Sequence, residues 1–200
     1  MSTLADYLAF AKAHPALFVN PSQGGITILL DENEIREAEA QMAQWLQTKG
    51  MPSECAQVGI AYRDQYVLLL RDAVRFPNGS LGTYIRSVGA DRSTPGVVVL
   101  SVYQGQVLLI RHFRHATRTW HLGIPSGFGM PGLSSEENAK RELEEEVAAI
   151  VSRLIPLGLV HLDVHTGADY VELFFAEVES YGEVEVQEGI TELLPACASV

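Results

Sequence analysis

The chain is 200 residues long, 47% hydrophobic, and carries a formal net charge of −11. Its size suits one domain with an extension, and its composition excludes a wholly disordered chain. The charge excludes a polyanion such as DNA or RNA as partner, because nothing overall would collect phosphates; a small anion requires cations or a metal concentrated locally.

The opening "MSTLADYLAFAKAHP" lacks the basic start and long apolar run of a signal peptide. No apolar run reaches the about 18 residues of a spanning helix, so the expected setting is the cytoplasm, away from membranes. Cys55 and Cys197 have no metal-ligand pattern and read as buried filler in a reducing compartment.

Ser2 or Thr3 caps a first helix in which Leu4, Tyr7, Leu8 and Ala11 recur at helical spacing, and Pro15 stops it. "ITILL", Ile26 to Leu30, reads as a short strand after the Gly24-Gly25 turn. Asp31, with Glu34 three positions on, caps a second helix that Gly50 ends. Residues 1–50 thus read as a small helical extension. Strands dominate from Val58. "QYVLLLRDAVRF" and "LGTYIRSV" flank "PNGS", whose Asn78-Gly79 pair signals a hairpin, and residues 51–94 form this N-terminal hairpin region.

A second hairpin, "GVVVLSV" with "QVLLIRHF" around Gly105, opens a main domain of residues 95–200. A loop rich in Gly and Pro spans Gly123 to Gly132, and Ser134 with Glu137 then matches a capping box for a helix over Ser135 to Ile150. "LGLVHLDV" and "DYVELFFAEV" read as two further strands, and "EGITELLPA" as a last helical turn. Strands, one long helix and more strands predict a mixed α/β (α+β) fold.

The segment "RELEEE", Arg141 to Glu146, crowds four glutamates into six residues. On a helix, Glu142, Glu145 and Glu146 share one face while Ala139, Leu143, Val147 and Ile150 form the neighbouring apolar stripe. Like charges at that spacing cost a few tenths of a kcal/mol per pair, and more when desolvated. A solvated acidic face neutralised by Lys140 and Arg141 is one reading. The other is a site for a hard divalent cation, favoured by the Gly-rich "IPSGFGMPG" directly upstream, whose backbone can approach a ligand.

"GFGMPGLSSEENAKRELEEEVAA", Gly127 to Ala149, resembles the Nudix box, Gly-x5-Glu-x7-Arg-Glu-U-x-Glu-Glu-x-Gly-U, where U is bulky and aliphatic. Gly127, Arg141, Glu142, Leu143, Glu145 and Glu146 match. Leu133 stands where the box has its first Glu, Ala148 where it has its Gly, and the small Ala149 fills the last aliphatic position. "RHFRHATRTWHLGIPSG" is similar to the Arg-Gln-Tyr-Arg … Trp … Glu-Leu-Pro-Ala-Gly run of the ADP-ribose pyrophosphatase branch, with Gly123 in place of the glutamate.

The resemblance implies a Nudix fold, a mixed sheet sandwiched by helices, that hydrolyses a small nucleoside diphosphate substrate with Mg²⁺, or Mn²⁺. ADP-ribose is the leading substrate, and the hairpin region is where that branch carries a sheet used in homodimers. Metal ligands are then Glu142, Glu145, Glu146 and the Ser126 carbonyl, with Arg141 holding a glutamate in place. Glu145 and Glu146 also count as catalytic, and the loop "HTGADY" offers Asp169 as general base, with Glu172 as its substitute. Arg111, Arg114 and Gly127 are assigned to substrate. Arg111 and Arg114 face opposite sides of an ideal strand, and Arg114 matches the last Arg of the family run. His112, His115 and His121 lack a metal-ligand spacing. The competing reading is a nucleotide-binding module with little turnover, supported by Leu133, Gly123 and Ala148; an acidic scaffold is a third.

Overall fold

The computed structural model describes residues 3–90, 93–182 and 190–197, the last segment as backbone. Ser2, one of the two capping candidates, lies outside the described residues. The chain divides into two compact units: Met1–Asp91 with Asp163–Ala168, and Arg92–Leu162 with Asp169–Val200.

The first unit contains helix α1 (Leu4–Ala13), strand β1 (Thr27–Leu29), helix α2 (Glu32–Thr48), and strands β2 (Gly59–Arg63), β3 (Val67–Arg75) and β4 (Leu81–Gly89). Thr3 closes a full capping box with Asp6 at the start of α1, and Asp31 accepts from the amides of Asn33 and Glu34 at the start of α2. The Asn78-Gly79 turn joins β3 to β4 in unbroken antiparallel register from Val67↔Gly89 to Arg75↔Leu81. Tyr7, Ile35, Val58, Leu70 and Val88 form one core, so the helices of residues 1–50 and the strands that follow bury the same apolar surface.

Inside that core lies a charge. Asp72 is 2% exposed, accepts from the Tyr7 hydroxyl (2.6 Å) and pairs with Arg86 Nε (2.5 Å), while Arg86 also donates to the Leu17 carbonyl (2.7 Å). Burial, then the Asp72 charge beside it, push the Tyr7 hydroxyl well above its ordinary titration range. The segment 163–168 completes the unit: Ser87 donates its N–H to the Thr166 carbonyl (2.7 Å) and accepts from Ala168 N–H (2.9 Å), and Tyr84 donates to the His165 carbonyl (3.0 Å). Cys55 is exposed, contrary to the expectation of burial, because it sits on a short 3₁₀ turn at Ser53–Ala56 whose buried position goes to Ala56.

The second unit contains β5 (Gly96–Tyr103), β6 (Gln106–Arg114), β7 (Thr119–Gly123), β8 (Ser126–Gly127), helix α3 (Ser135–Val147), β9 (Ile150–Val160), β10 (Val171–Ser180) and β11 (Ile190–Cys197). Its mixed sheet has the order β11-β6-β5-β10-β9, with β7 paired to β6 and β8 paired to β5. Only β5 and β10 run parallel among the described pairs. Gln104 and Gly105 both have positive φ (49° and 78°), the two-residue turn that matches strand twist. The apolar stripe of α3, Ala139, Leu143 and Val147, is fully buried on Val97, Val99, Leu108, Ile110, Phe174 and Ala176.

Three expectations about secondary structure also change. The helix stops at Val147, not Ile150, because Ala148 turns left-handed (φ 46°) and its N–H caps the Glu144 and Leu143 carbonyls. The next strand accordingly begins at Ile150 and ends at Val160, so His161 to Val164 lie beyond it. The segment 190–197 is a strand, not a helical turn, because it finds antiparallel partners along β6 from Gln106 to His112, a pairing invisible to local pattern.

Candidate active site

The long helix is placed by its ends. Ser134 and Glu137 form a capping box at the start of α3, and Asn138, fully buried, donates from Nδ2 to the Phe128 carbonyl (3.0 Å). That bond ties the glycine-rich loop to the helix. Asn138 Oδ1 in turn accepts from Arg141 Nη2 (3.1 Å) and, at longer range, from Nε (3.4 Å). Asn138 was missed in the sequence, although its spacing to Glu142, Glu145 and Glu146 (i, i+4, i+7, i+8) places it on their face.

Arg141 draws two of the glutamates together. It donates from Nη1 to Glu145 Oε2 (2.5 Å) and from Nη2 to Glu142 Oε1. Glu142 is buried, whereas Glu145 is exposed, so the first pair is desolvated and the second largely solvated. Glu146 faces the other way around the same site: the Ser126 N–H donates to its Oε2 (2.9 Å). Glu142 lies directly on Gly127, where an added Cβ would stand 2.1 Å from its carboxyl carbon. Only glycine leaves room for that carboxylate.

The other candidates fall around this centre. The register Gly127↔Val97 and Val97↔Glu172 puts Glu172 in one row of the sheet with Gly127, on the α3 side that Val97 faces. Glu172 is half-buried; Asp169 is exposed, just before β10, with its carbonyl 3.2 Å from His161 Nδ1. The pairing of β6 with β7 runs without a bulge from Ile110↔Gly123 to Arg114↔Thr119, so Arg111 and Arg114 do point to opposite sides. Arg114 shares the parity of Ile110 and therefore the α3 side, while Arg111 lies over the Trp120 ring (5.1 Å) on the other.

Among the described residues no three His, Cys, Asp or Glu side chains converge as a ready metal cage. The donor chemistry nonetheless fits a hard divalent cation: oxygen ligands alone, on a rigid helix, with Glu142 and Glu146 set against the Ser126–Gly127 backbone. Such a cation would compete with Arg141 for Glu142 and Glu145.

The family model of the NUDIX domain matches residues 92–193, just over half of the chain. The chain belongs to the Nudix family. No curated protein gives a significant match. Among solved structures, one described as "Crystal structure of ADP compounds hydrolase" is similar at a TM-score of 0.58 and 21% identity, covering 71% of this chain and 77% of that one. At that identity the likeness bears on the fold, and it agrees with the mixed α+β architecture.

Against the Nudix box, both departures acquire a physical meaning. Ala148 occupies the box's glycine position with φ 46°, the left-handed cap geometry for which glycine is the undemanding choice. Leu133, at the position of the box's first glutamate, is half-buried, and its N–H closes a turn onto the Met130 carbonyl (3.1 Å). With a leucine there, Arg141 turns instead to Glu142, Glu145 and Asn138. Among those residues no helix is long and apolar enough to cross a membrane.

Proposed function

We propose that this Nudix hydrolase cleaves the diphosphate bond of ADP-ribose or a related nucleoside diphosphate sugar, with Mg²⁺ or Mn²⁺, giving a nucleoside monophosphate and a sugar phosphate. The observation that carries the reading is the gathering of Glu142, Glu145 and Glu146 around Arg141 and the Ser126–Gly127 backbone.

Glu142, Glu145, Glu146 and the Ser126 carbonyl would hold the divalent cation, which supplies charge neutralisation of the diphosphate and activation of a water. Arg141 orients Glu142 and Glu145 through charged hydrogen bonds, and Asn138 fixes Arg141. Gly127 leaves the substrate and Glu142 room at the same backbone position. Arg114, on the α3 side with the glutamates, pairs with a phosphate, whereas Arg111, the other arginine assigned to substrate, points to the opposite face. Water attacks phosphorus, the bridging P–O bond breaks, and the oxygen leaves with the other phosphate. The proton of the water goes to a carboxylate of the β10 region: Asp169 or Glu172. Glu172 has the support of sharing a sheet row with Gly127. The same reading makes the partner a small nucleotide, the assembly a homodimer and the setting the cytoplasm.

The test is product analysis with ADP-ribose and a panel of nucleoside diphosphate sugars, in Mg²⁺, Mn²⁺ and chelator. Release of AMP that stops with chelator, and that Glu146→Gln abolishes without altering the circular dichroism spectrum, is the expected result. Full activity of Glu146→Gln overturns the metal assignment. A second reading, nucleotide binding with little turnover, draws support from the engagement of both Glu142 and Glu145 by Arg141; binding of AMP without cleavage of any compound would establish it.

A further inference from the structure

Three residues of α3 spaced four apart, Asn138, Glu142 and Glu146, meet three consecutive residues at the start of the glycine-rich loop. Glu146 Oε2 accepts from the Ser126 N–H (2.9 Å), Glu142 lies against Gly127, and Asn138 Nδ2 donates to the Phe128 carbonyl (3.0 Å). The spacing i, i+4, i+8 puts the three on one row of the helix, and the row meets the backbone in reverse order. Eight helical residues rise about 12 Å and two extended residues about 7 Å, so the side chains converge as they reach the backbone.

The strand register explains why the backbone meets the row. Val99 N–H donates to the Pro125 carbonyl (2.8 Å), and Val98↔Ser126 and Val97↔Gly127 follow as successive pairs of β5 with β8. In an antiparallel ladder every second residue turns both its N–H and its carbonyl away from the partner strand. Ser126 does so, since its N–H goes to Glu146, and its carbonyl therefore points to the side of that carboxylate. Phe128, two residues on, has the same parity, and its carbonyl meets Asn138. Gly127 between them leaves the space that Glu142 fills.

Asn138 is the neutral rung of the row. It is fully buried, where an amide is costly unless its groups are paired. Both ends are paired: Nδ2 holds the Phe128 carbonyl, and Oδ1 accepts from Arg141 Nη2 (3.1 Å) and Nε (3.4 Å). The position calls for a side chain that donates and accepts at once. Alanine does neither, and aspartate would turn a negative oxygen onto the Phe128 carbonyl.

We propose that Asn138 is a positioning residue that holds the Ser126–Phe128 backbone in register with Glu142 and Glu146, and so sets the Ser126 carbonyl beside the carboxylates. Its consequence for a divalent cation rests on the metal-dependent reading, whereas the register itself is tested without metal or substrate. Asn138→Asp gives charge and geometry opposite signs. It adds a carboxylate to the row, which by charge alone tightens the hold on a cation, while the lost rung displaces the backbone and loosens it. The expected result is an Mn²⁺ affinity about 10-fold or more lower in both Asn138→Asp and Asn138→Ala, read from the electron paramagnetic resonance of free Mn²⁺. Amide hydrogen exchange from Ser126 to Gly129 becomes faster in the metal-free variants. At saturating Mn²⁺, kcat for ADP-ribose falls about 10-fold while KM stays within about twofold. Circular dichroism reports the fold of each variant, and Asn138→Ala carries the test if Asn138→Asp does not fold. An Mn²⁺ affinity unchanged or tighter in Asn138→Asp, or exchange unchanged in both variants, overturns the positioning role. Unmodified protein that binds no Mn²⁺ removes the metal reading, and the exchange comparison still decides whether Asn138 holds the backbone.

Discussion

Replacing Gly127 by alanine tests the closest approach in the candidate site. The added Cβ would stand 2.1 Å from the Glu142 carboxyl carbon and Oε1 and 2.3 Å from Oε2, distances that real Cβ atoms do not adopt. The Glu142 side chain, 7% exposed and held by Arg141, must retreat by about 1 Å, a displacement of the size that costs about 100-fold in rate when it occurs at a reacting centre. That is about 2.7 kcal/mol in activation free energy. The fold should change little: alanine reduces the freedom of the unfolded chain by about 0.4–1 kcal/mol, which offsets part of the loosened ion pair. Steady-state kinetics with ADP-ribose and Mg²⁺, alongside thermal unfolding, separate the two effects. Shortening the carboxylate by one methylene, in Gly127→Ala with Glu142→Asp, should recover part of the lost kcat. If Gly127→Ala alone turns over within about twofold of the unmodified protein, the position of the Glu142 carboxylate is not what activity depends on.

Ala148→Gly should raise stability by about 0.5–1 kcal/mol, since a left-handed alanine costs about 1–2 kcal/mol and glycine's extra unfolded freedom returns part of that; chemical denaturation measures it. Asp72→Ala should destabilise the first unit by about 3–5 kcal/mol, because Arg86 and the Tyr7 hydroxyl lose a buried partner, with a smaller loss in Tyr7→Phe; an unchanged denaturation midpoint in Asp72→Ala would remove the network from the stability account. The Asp163 carboxyl, held down to about 2 by the Thr166 hydroxyl first and then by the His165 and Thr166 amides, should keep its loop ordered at mildly acid pH. Its folded value lies below the unfolded one, so the contribution is complete above the ordinary carboxylate range and disappears as pH falls through about 2. An NMR titration of Asp163 placing its midpoint near 4 would contradict this.

Much of the backbone was legible because it is specified locally. Thr3, one of the two candidates for its helix, Asp31, and Ser134 with Glu137 all cap the helices they announce, and Asn78-Gly79 turns the hairpin it promises. What the pattern missed depends on distant partners or on residues that break their own rule. Ala148 gives no glycine signal for the helix end it makes, and the strand at 190–197 exists through β6, far away in sequence. The short strand β8 lies in the stretch Gly123 to Gly132, whose glycines and prolines read as loop, and β7 directly precedes it. In the site, the glutamate face was visible from helical spacing, whereas the close fit of Glu142 on Gly127 and the buried bond from Asn138 to the Phe128 carbonyl are products of packing.

The return of residues 163–168 to β4 has a consequence for how this chain can be divided. The first unit is discontinuous: the polypeptide leaves it at Asp91 and comes back for one short pass between β9 and β10. A fragment ending at Asp91 would lack the Thr166 carbonyl and Ala168 amide that Ser87 bonds, and a fragment starting at Arg92 would carry that pass with no β4 to receive it. The N-terminal unit is therefore not a cassette to be exchanged among relatives by a single splice. Any transplant of it must take along the loop whose last residue is bonded to Asp169.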